Sequence, residues 1–140
     1  MKSILLFIFS ICFAVFSYSE EYQFEGEHFL ASYIDCDIDA LTDLPALEAA
    51  MFKAAESSGA TVLNSSKQVF PPSGFTQVIL LSESHASIHT YPEFGACFVD
   101  LFTCGTRCSS KNFDQVLRKY LKPKQVSLKN LKRGKEIVEK

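Results

Sequence analysis

A serine, two imidazoles, two carboxylates and a thiol crowd one stretch of the chain: Glu83-Ser84-His85, His89, Glu93 and Cys104. A serine hydroxyl is a nucleophile once a base takes its proton, an imidazole moves protons near pH 7, and a thiol holds a proton at neutral pH that it can give up. Each polar cluster follows an apolar run. Val78 to Leu81 leads into Ser82-Glu83-Ser84-His85, and Gly95 to Phe102 leads into Thr103-Cys104-Gly105. Residue types alone are also satisfied by a loop serine, a hydrogen-bonded core histidine and a buried thiol. His85, His89, Cys104 and Cys108 lack the paired C-x-x-C or helical H-E-x-x-H spacing of a zinc site, so no metal is expected.

The elements that must position these groups can be read in order. His28 to Ile34 alternates well enough for a strand over Glu27 to Asp35. Asp43-Leu44-Pro45 opens a helix, with Asp43 as N-cap and Pro45 in the first turn. Leu44, Leu47, Ala50, Met51 and Ala54 give that helix one apolar face, and Gly59 ends it. Ala60 to Phe70 predicts a second strand, Pro71-Pro72-Ser73-Gly74 a turn, and Phe75 to Leu81 a third, buried strand. Gly95 to Phe102 is the fourth strand, Asn112 to Leu121 an amphipathic helix stopped by Pro123, and Gln125 to Leu131 a last strand. The order β-α-β-β-β-α-β predicts an α/β (α+β) two-layer sandwich, with helices on one face of a mostly antiparallel sheet.

A chain of 140 residues with 47% hydrophobic and 13% aromatic residues suits one folded domain, here residues 20–140. The net charge of -2 is unevenly spread. Ten Lys/Arg lie from Lys111 onward, whereas thirteen acids between Glu20 and Ser110 face only Lys53, Lys67 and Arg107. Complementary surfaces within a fold or dimer explain this better than a nucleic-acid tail, because Val126, Leu128, Leu131, Ile137 and Val138 interrupt the basic run. Residues 1–19 read as a signal peptide: Lys2, an apolar Ile4 to Phe16 too short for a comfortable membrane span, then Ser17 and Ser19. That predicts an exported or periplasmic protein, or a cytoplasmic one if the segment does not function. Without the leader four cysteines remain: Cys36, Cys97, Cys104 and Cys108. Export suggests disulfides among them. Pairing of Cys104 with Cys97 or Cys108 would consume its thiol, and pairing of Cys36 with Cys97 would spare it.

Glu83-Ser84-His85, Ile88-His89-Thr90, Pro92-Glu93 and Phe102-Thr103-Cys104-Gly105 together resemble the signature of the short prokaryotic S-adenosylmethionine decarboxylases. The resemblance runs from about Gly26 to Gly134. It implies a two-layer sandwich that pairs as a homodimer and a proenzyme that cuts itself between Glu83 and Ser84. Ser84 would attack the Glu83 carbonyl in an N-to-O acyl shift. Elimination of the Glu83 carboxylate and loss of ammonia would then leave a covalent pyruvoyl cofactor on the α chain, with the β chain ending at Glu83. It implies that His89 assists processing, and that the ketone holds the substrate amine as a Schiff base and acts as an electron sink. It further implies that Cys104 returns a proton to the substrate, Phe70 stacks on adenine and Glu93 binds the ribose hydroxyls. The activity implied is decarboxylation of S-adenosylmethionine for polyamine (spermidine) synthesis. Family members usually carry a larger aliphatic residue at Ala86 and Trp at Tyr91, which keeps open an ornithine or arginine decarboxylase. A non-enzymatic relative acting as a binding or regulatory module is the reading from another class.

Overall fold

The computed structural model describes residues 24–134; the leader-like segment lies outside the described residues. Six strands form one sheet: β1 (Gly26–Ile34), β2 (Val62–Phe70), β3 (Gly74–Leu81), β4 (Ser84–Tyr91), β5 (Ala96–Cys104) and β6 (Gln125–Arg133). Their spatial order is β2-β3-β4-β5-β1-β6, and every neighbouring pair is antiparallel. Three helices, α1 (Ile38–Thr42), α2 (Leu44–Ser57) and α3 (Ser110–Leu121), complete the fold. None of the described helices is long and apolar enough to cross a membrane.

Local chemistry explains the helix ends. The Asp43 carboxylate accepts from the Ala46 N–H at 3.2 Å, and Pro45 occupies the first turn of α2. Asp37 caps the short α1 in the same way, and Ser109 caps α3. Gly59, at φ 95°, closes α2; Lys122, at φ 48°, closes α3 just before Pro123. Lys122 also meets Asp37 at 2.9 Å, so one contact joins the basic C-terminal part to the acidic N-terminal part.

The core lies between the helices and one face of the sheet. Leu41, Leu47, Met51, Phe113, Leu117 and Leu121 pack from the helices onto Phe29, Tyr33, Phe75, Ile79, Ile88 and Leu101 from the strands. Each such fully buried side chain contributes roughly 1.5–3 kcal/mol. Tyr33 keeps its polar tip satisfied by donating to Asp114 Oδ1 at 2.7 Å. Among the described residues the opposite face carries no helix. Val78, Leu80 and Phe98 stand exposed on it, alternating with the buried positions of β3 and β5, and Leu131 of the exposed edge strand β6 joins them.

Two expectations need correction. The sheet has six strands rather than five, because the polar stretch from Ser84 to Tyr91 is itself strand β4. Its alternation is hidden in the sequence. Ala86 and Ile88 point into the core, while His85, Ser87 and His89 face the open side. The run Val78–Leu81 is not buried on both faces either. Ile79 and Leu81 are buried, whereas Val78 and Leu80 cover the open side.

Candidate active site

Strands β3 and β4 are joined by only Ser82 and Glu83, so the Glu83–Ser84 bond sits at the tip of a tight hairpin. Ser84 has φ 157°, a conformation that residues bearing a Cβ rarely adopt. The turn is held from three sides. The Ser82 N–H donates to the Thr61 carbonyl at 2.9 Å, and the Thr61 N–H donates to Glu83 Oε2 at 2.9 Å. On the third side the Cys104 N–H donates to the Glu83 carbonyl oxygen at 2.9 Å. The register explains this last bond. Ser84 lies opposite Thr103, so Glu83 falls level with Cys104 at the end of β5. The sheet thus brings Glu83, Ser84 and Cys104 together although twenty residues separate the serine from the thiol in the chain.

Ser84 Oγ lies 3.4 Å from Nδ1 of His85. His85 heads an aromatic group on the open face. Its ring centroid is 5.8 Å from Phe102 and 6.3 Å from His28, and the Arg133 guanidinium stacks 4.4 Å above Phe102. Burial lowers the pKa of His28. The nearby Asp100 works against that shift, and the positive charge of Arg133 adds to it. Its Nε2 is buried with no hydrogen-bond partner among the described residues. The sequence gives no signal for His28 or Arg133, because their nearness to Ser84 depends on β1 and β6 lying beside β5.

The remaining expected residues sit elsewhere. His89 is five residues beyond Ser84 on the same strand, a separation of about 17 Å at ~3.4 Å per residue. Its Nδ1 meets the Thr76 hydroxyl at 3.0 Å, a partner with no mark in the sequence. Phe70 ends β2 opposite Gly74, and Glu93 lies in the 3-10 turn Pro92–Phe94 after β4. Phe70 and His89 therefore belong to the far end of the open face and Glu93 to the turn beyond it, so none of the three sits beside Ser84 within one chain. Ala86 is fully buried on the core side, between Ile79 and Leu101. It packs the fold and does not line the open face, so its small size is no argument about substrate. Tyr91 does face that side, 5.3 Å from the Phe98 ring.

The family model for S-adenosylmethionine decarboxylase matches residues 27–134 of this chain. The chain belongs to that family. An S-adenosylmethionine decarboxylase proenzyme of Thermosipho melanesiensis is 42% identical over 110 residues, covering 79% of this chain and 85% of that protein. A second proenzyme, from Bacillus cereus, is 42% identical over 114 residues, covering 81% and 93%. The crystal structure of the adenosylmethionine decarboxylase from Aquifex aeolicus superimposes with a TM-score of 0.74 at 30% identity, over 84% of this chain and 98% of that one. Family membership and the shared fold agree with the sandwich and the antiparallel sheet expected from the sequence.

Proposed function

We propose that this member of the family is a proenzyme that cuts itself at Glu83–Ser84 and decarboxylates S-adenosylmethionine, in the service of polyamine synthesis. The observation that carries the reading is the grip of the Cys104 N–H on the Glu83 carbonyl oxygen, at the bond that would break. Attack by Ser84 Oγ puts negative charge on that oxygen. A fixed donor at 2.9 Å stabilises the charge without reorganising, and the φ of Ser84 stores strain that scission releases. The Ser84 Oγ forms an ester with the Glu83 carbonyl carbon as the C–N bond breaks. Loss of the Ser84 α-proton then expels the Glu83 carboxylate, and water releases ammonia.

The residues present fit the pyruvoyl group that results. Ser84 is held as the first residue of β4, between Leu81 and Thr103, so the new chain start would stay in place. The two chains would stay together as well. Strand β1 from the first chain lies between β5 and β6 of the second, and β3 pairs with β4 across the cut. When formed, the ketone supplies an electron sink for the electrons left by carbon dioxide. Cys104 Sγ, on the residue whose N–H holds Glu83, is the group placed to return a proton to the substrate carbon. The similar S-adenosylmethionine decarboxylase proenzymes favour S-adenosylmethionine over ornithine or arginine and over an idle binding module.

Two copies complete the site in this reading. The grooves on the helical side, one lined by Leu44, Glu48, Lys67 and Phe75, contain neither Ser84 nor Cys104. Stacking two open faces about a two-fold axis would cover Val78, Leu80 and Phe98. It would also bring the Thr76–His89 pair, Phe70 and Glu93 of one copy over Ser84 and Cys104 of the other. His89 would then assist scission, Phe70 would stack on the adenine and Glu93 would hold the ribose hydroxyls. Lys2, the apolar segment Ile4 to Phe16 and the small Ser17 and Ser19 support export of the protein.

Intact mass under reducing conditions tests scission. Two chains are expected, with the one beginning at residue 84 lighter by the change of serine to pyruvoyl, and the same spectrum shows whether the leader is removed. Release of carbon dioxide from S-adenosylmethionine tests the activity. An unbroken chain, or turnover of ornithine or arginine alone, overturns the proposal.

A further inference from the structure

Strand β1 ends at Ile34, and Asp35 turns the chain back with a left-handed φ of 53°. The next residue, Cys36, is thereby laid against the start of β5, where its N–H donates to the Gly95 carbonyl at 2.8 Å. Two residues further along β5, Cys97 points into the core opposite Tyr33 and Thr90. Both thiols are free and buried in the same cluster, and each shifts the pKa of the other. Cys104 cannot enter this pair. It is seven residues along β5 from Cys97, about 24 Å at ~3.4 Å per residue, and it belongs to the alternate register that faces the open side. Cys108 stands apart, beside Ser58 and Thr103.

We propose that Cys36 and Cys97 form a disulfide when the chain folds in an oxidising environment, leaving Cys104 as a free thiol. The step takes one glutathione disulfide or an equivalent protein disulfide as oxidant. The Cys36 thiolate attacks it and releases one thiol; the Cys97 sulfur then attacks the mixed disulfide and releases the second. Two protons and two electrons leave the protein, and one S–S bond is gained. The order follows from the pair itself. A hydrogen bond from the Cys97 thiol lowers the pKa of Cys36, whereas Cys97 is held protonated by that bond and by burial. Cys36 precedes Ser84 in the chain and Cys97 follows it. If the chain cuts itself as proposed above, this bond ties the two products together covalently. The pairing of the thiols does not depend on that reading, but the linkage of two chains does.

The test is to refold the reduced full chain in a glutathione redox buffer, alkylate the remaining thiols, and map the peptides. The expected result is a Cys36–Cys97 linked peptide with Cys104 alkylated as fully as in reduced protein. The unfolding midpoint should rise by on the order of 10 °C, because the bond closes a loop of roughly 60 residues. Cys97→Ala and, separately, Cys36→Ser should each abolish the linked peptide and the rise. Non-reducing intact mass adds a readout of scission. One species that reduction splits in two means both proposals hold, and an unsplit chain carrying the linked peptide means only the disulfide does. Alkylated Cys36 and Cys97 after oxidation, or Cys104 found in the linked peptide, overturns the inference.

Discussion

The main-chain N–H of Cys104 is bonded to the carbonyl oxygen of Glu83 at 2.9 Å, while the thiol of Cys104 belongs to the open face. In the proposed reaction one residue would thus present two different groups to two different steps. The backbone donor faces the bond that would break in processing, and the side chain is left for the chemistry that would follow.

Cys104→Ala keeps the donor and removes the thiol. Scission at Glu83–Ser84 should therefore proceed at close to the normal rate, whereas turnover of S-adenosylmethionine should fall by roughly 10²–10⁴-fold. Intact mass and carbon dioxide release measured on the same sample separate the two. Loss of scission in Cys104→Ala would mean that the side chain, not the backbone, serves processing.

His89 lies about 17 Å along β4 from Ser84 at ~3.4 Å per residue, so the help proposed for it would come from a second copy. Ser84→Ala alone should stay uncut, and His89→Ala alone should cut slowly. Co-expressed, they form mixed dimers in which an intact Ser84 of one chain meets an intact His89 of the other. The His89→Ala chains should then be cut at close to the normal rate. Mass spectrometry of the two tagged chains reads this directly, and no rescue would place His89 outside processing.

His28 has its pKa lowered, chiefly by burial. The unfolded chain then binds a proton more readily than the folded one. The associated stability is complete above about pH 6.5, the value for a free imidazole, and is lost as the pH falls below it towards the folded pKa. Urea unfolding at pH 7.5, 6.0 and 5.0 should show this decline. His28→Gln should show a shallower decline over the same interval. Parallel curves for the two proteins would assign the loss to other groups.

Gln77 is fully buried on the core face of β3, and neither its Oε1 nor its Nε2 has a partner among the described residues. Leaving such groups unpaired costs about 1–3 kcal/mol. Gln77→Met, of similar length and without the amide, should raise the unfolding free energy by about that amount. A fall in stability would show that the amide is satisfied by buried water.

Much of this was legible in the chain itself. The cap at Asp43, the stops at Gly59 and Pro123 and the apolar faces of α2 and α3 are local signals, and each lies where the sequence alone puts it. Family membership was legible for another reason: short motifs around Ser84, His89 and Cys104 have a joint spacing that resembles one family. What stayed hidden depends on register. Strand β4 looked like a polar loop because its outward residues are imidazoles and hydroxyls and its inward ones only Ala86 and Ile88. Side-chain direction along a strand has a period of two and takes its meaning from which neighbour is paired. Sequence could therefore name Glu83, Ser84 and Cys104. Only the tertiary structure decided the rest: the pairing of β4 with β5 set the Cys104 N–H on the Glu83 carbonyl, the extended run of β4 parted His89 from Ser84, and the pairing of β1 with β5 brought Cys36 against Cys97 across 61 positions of chain.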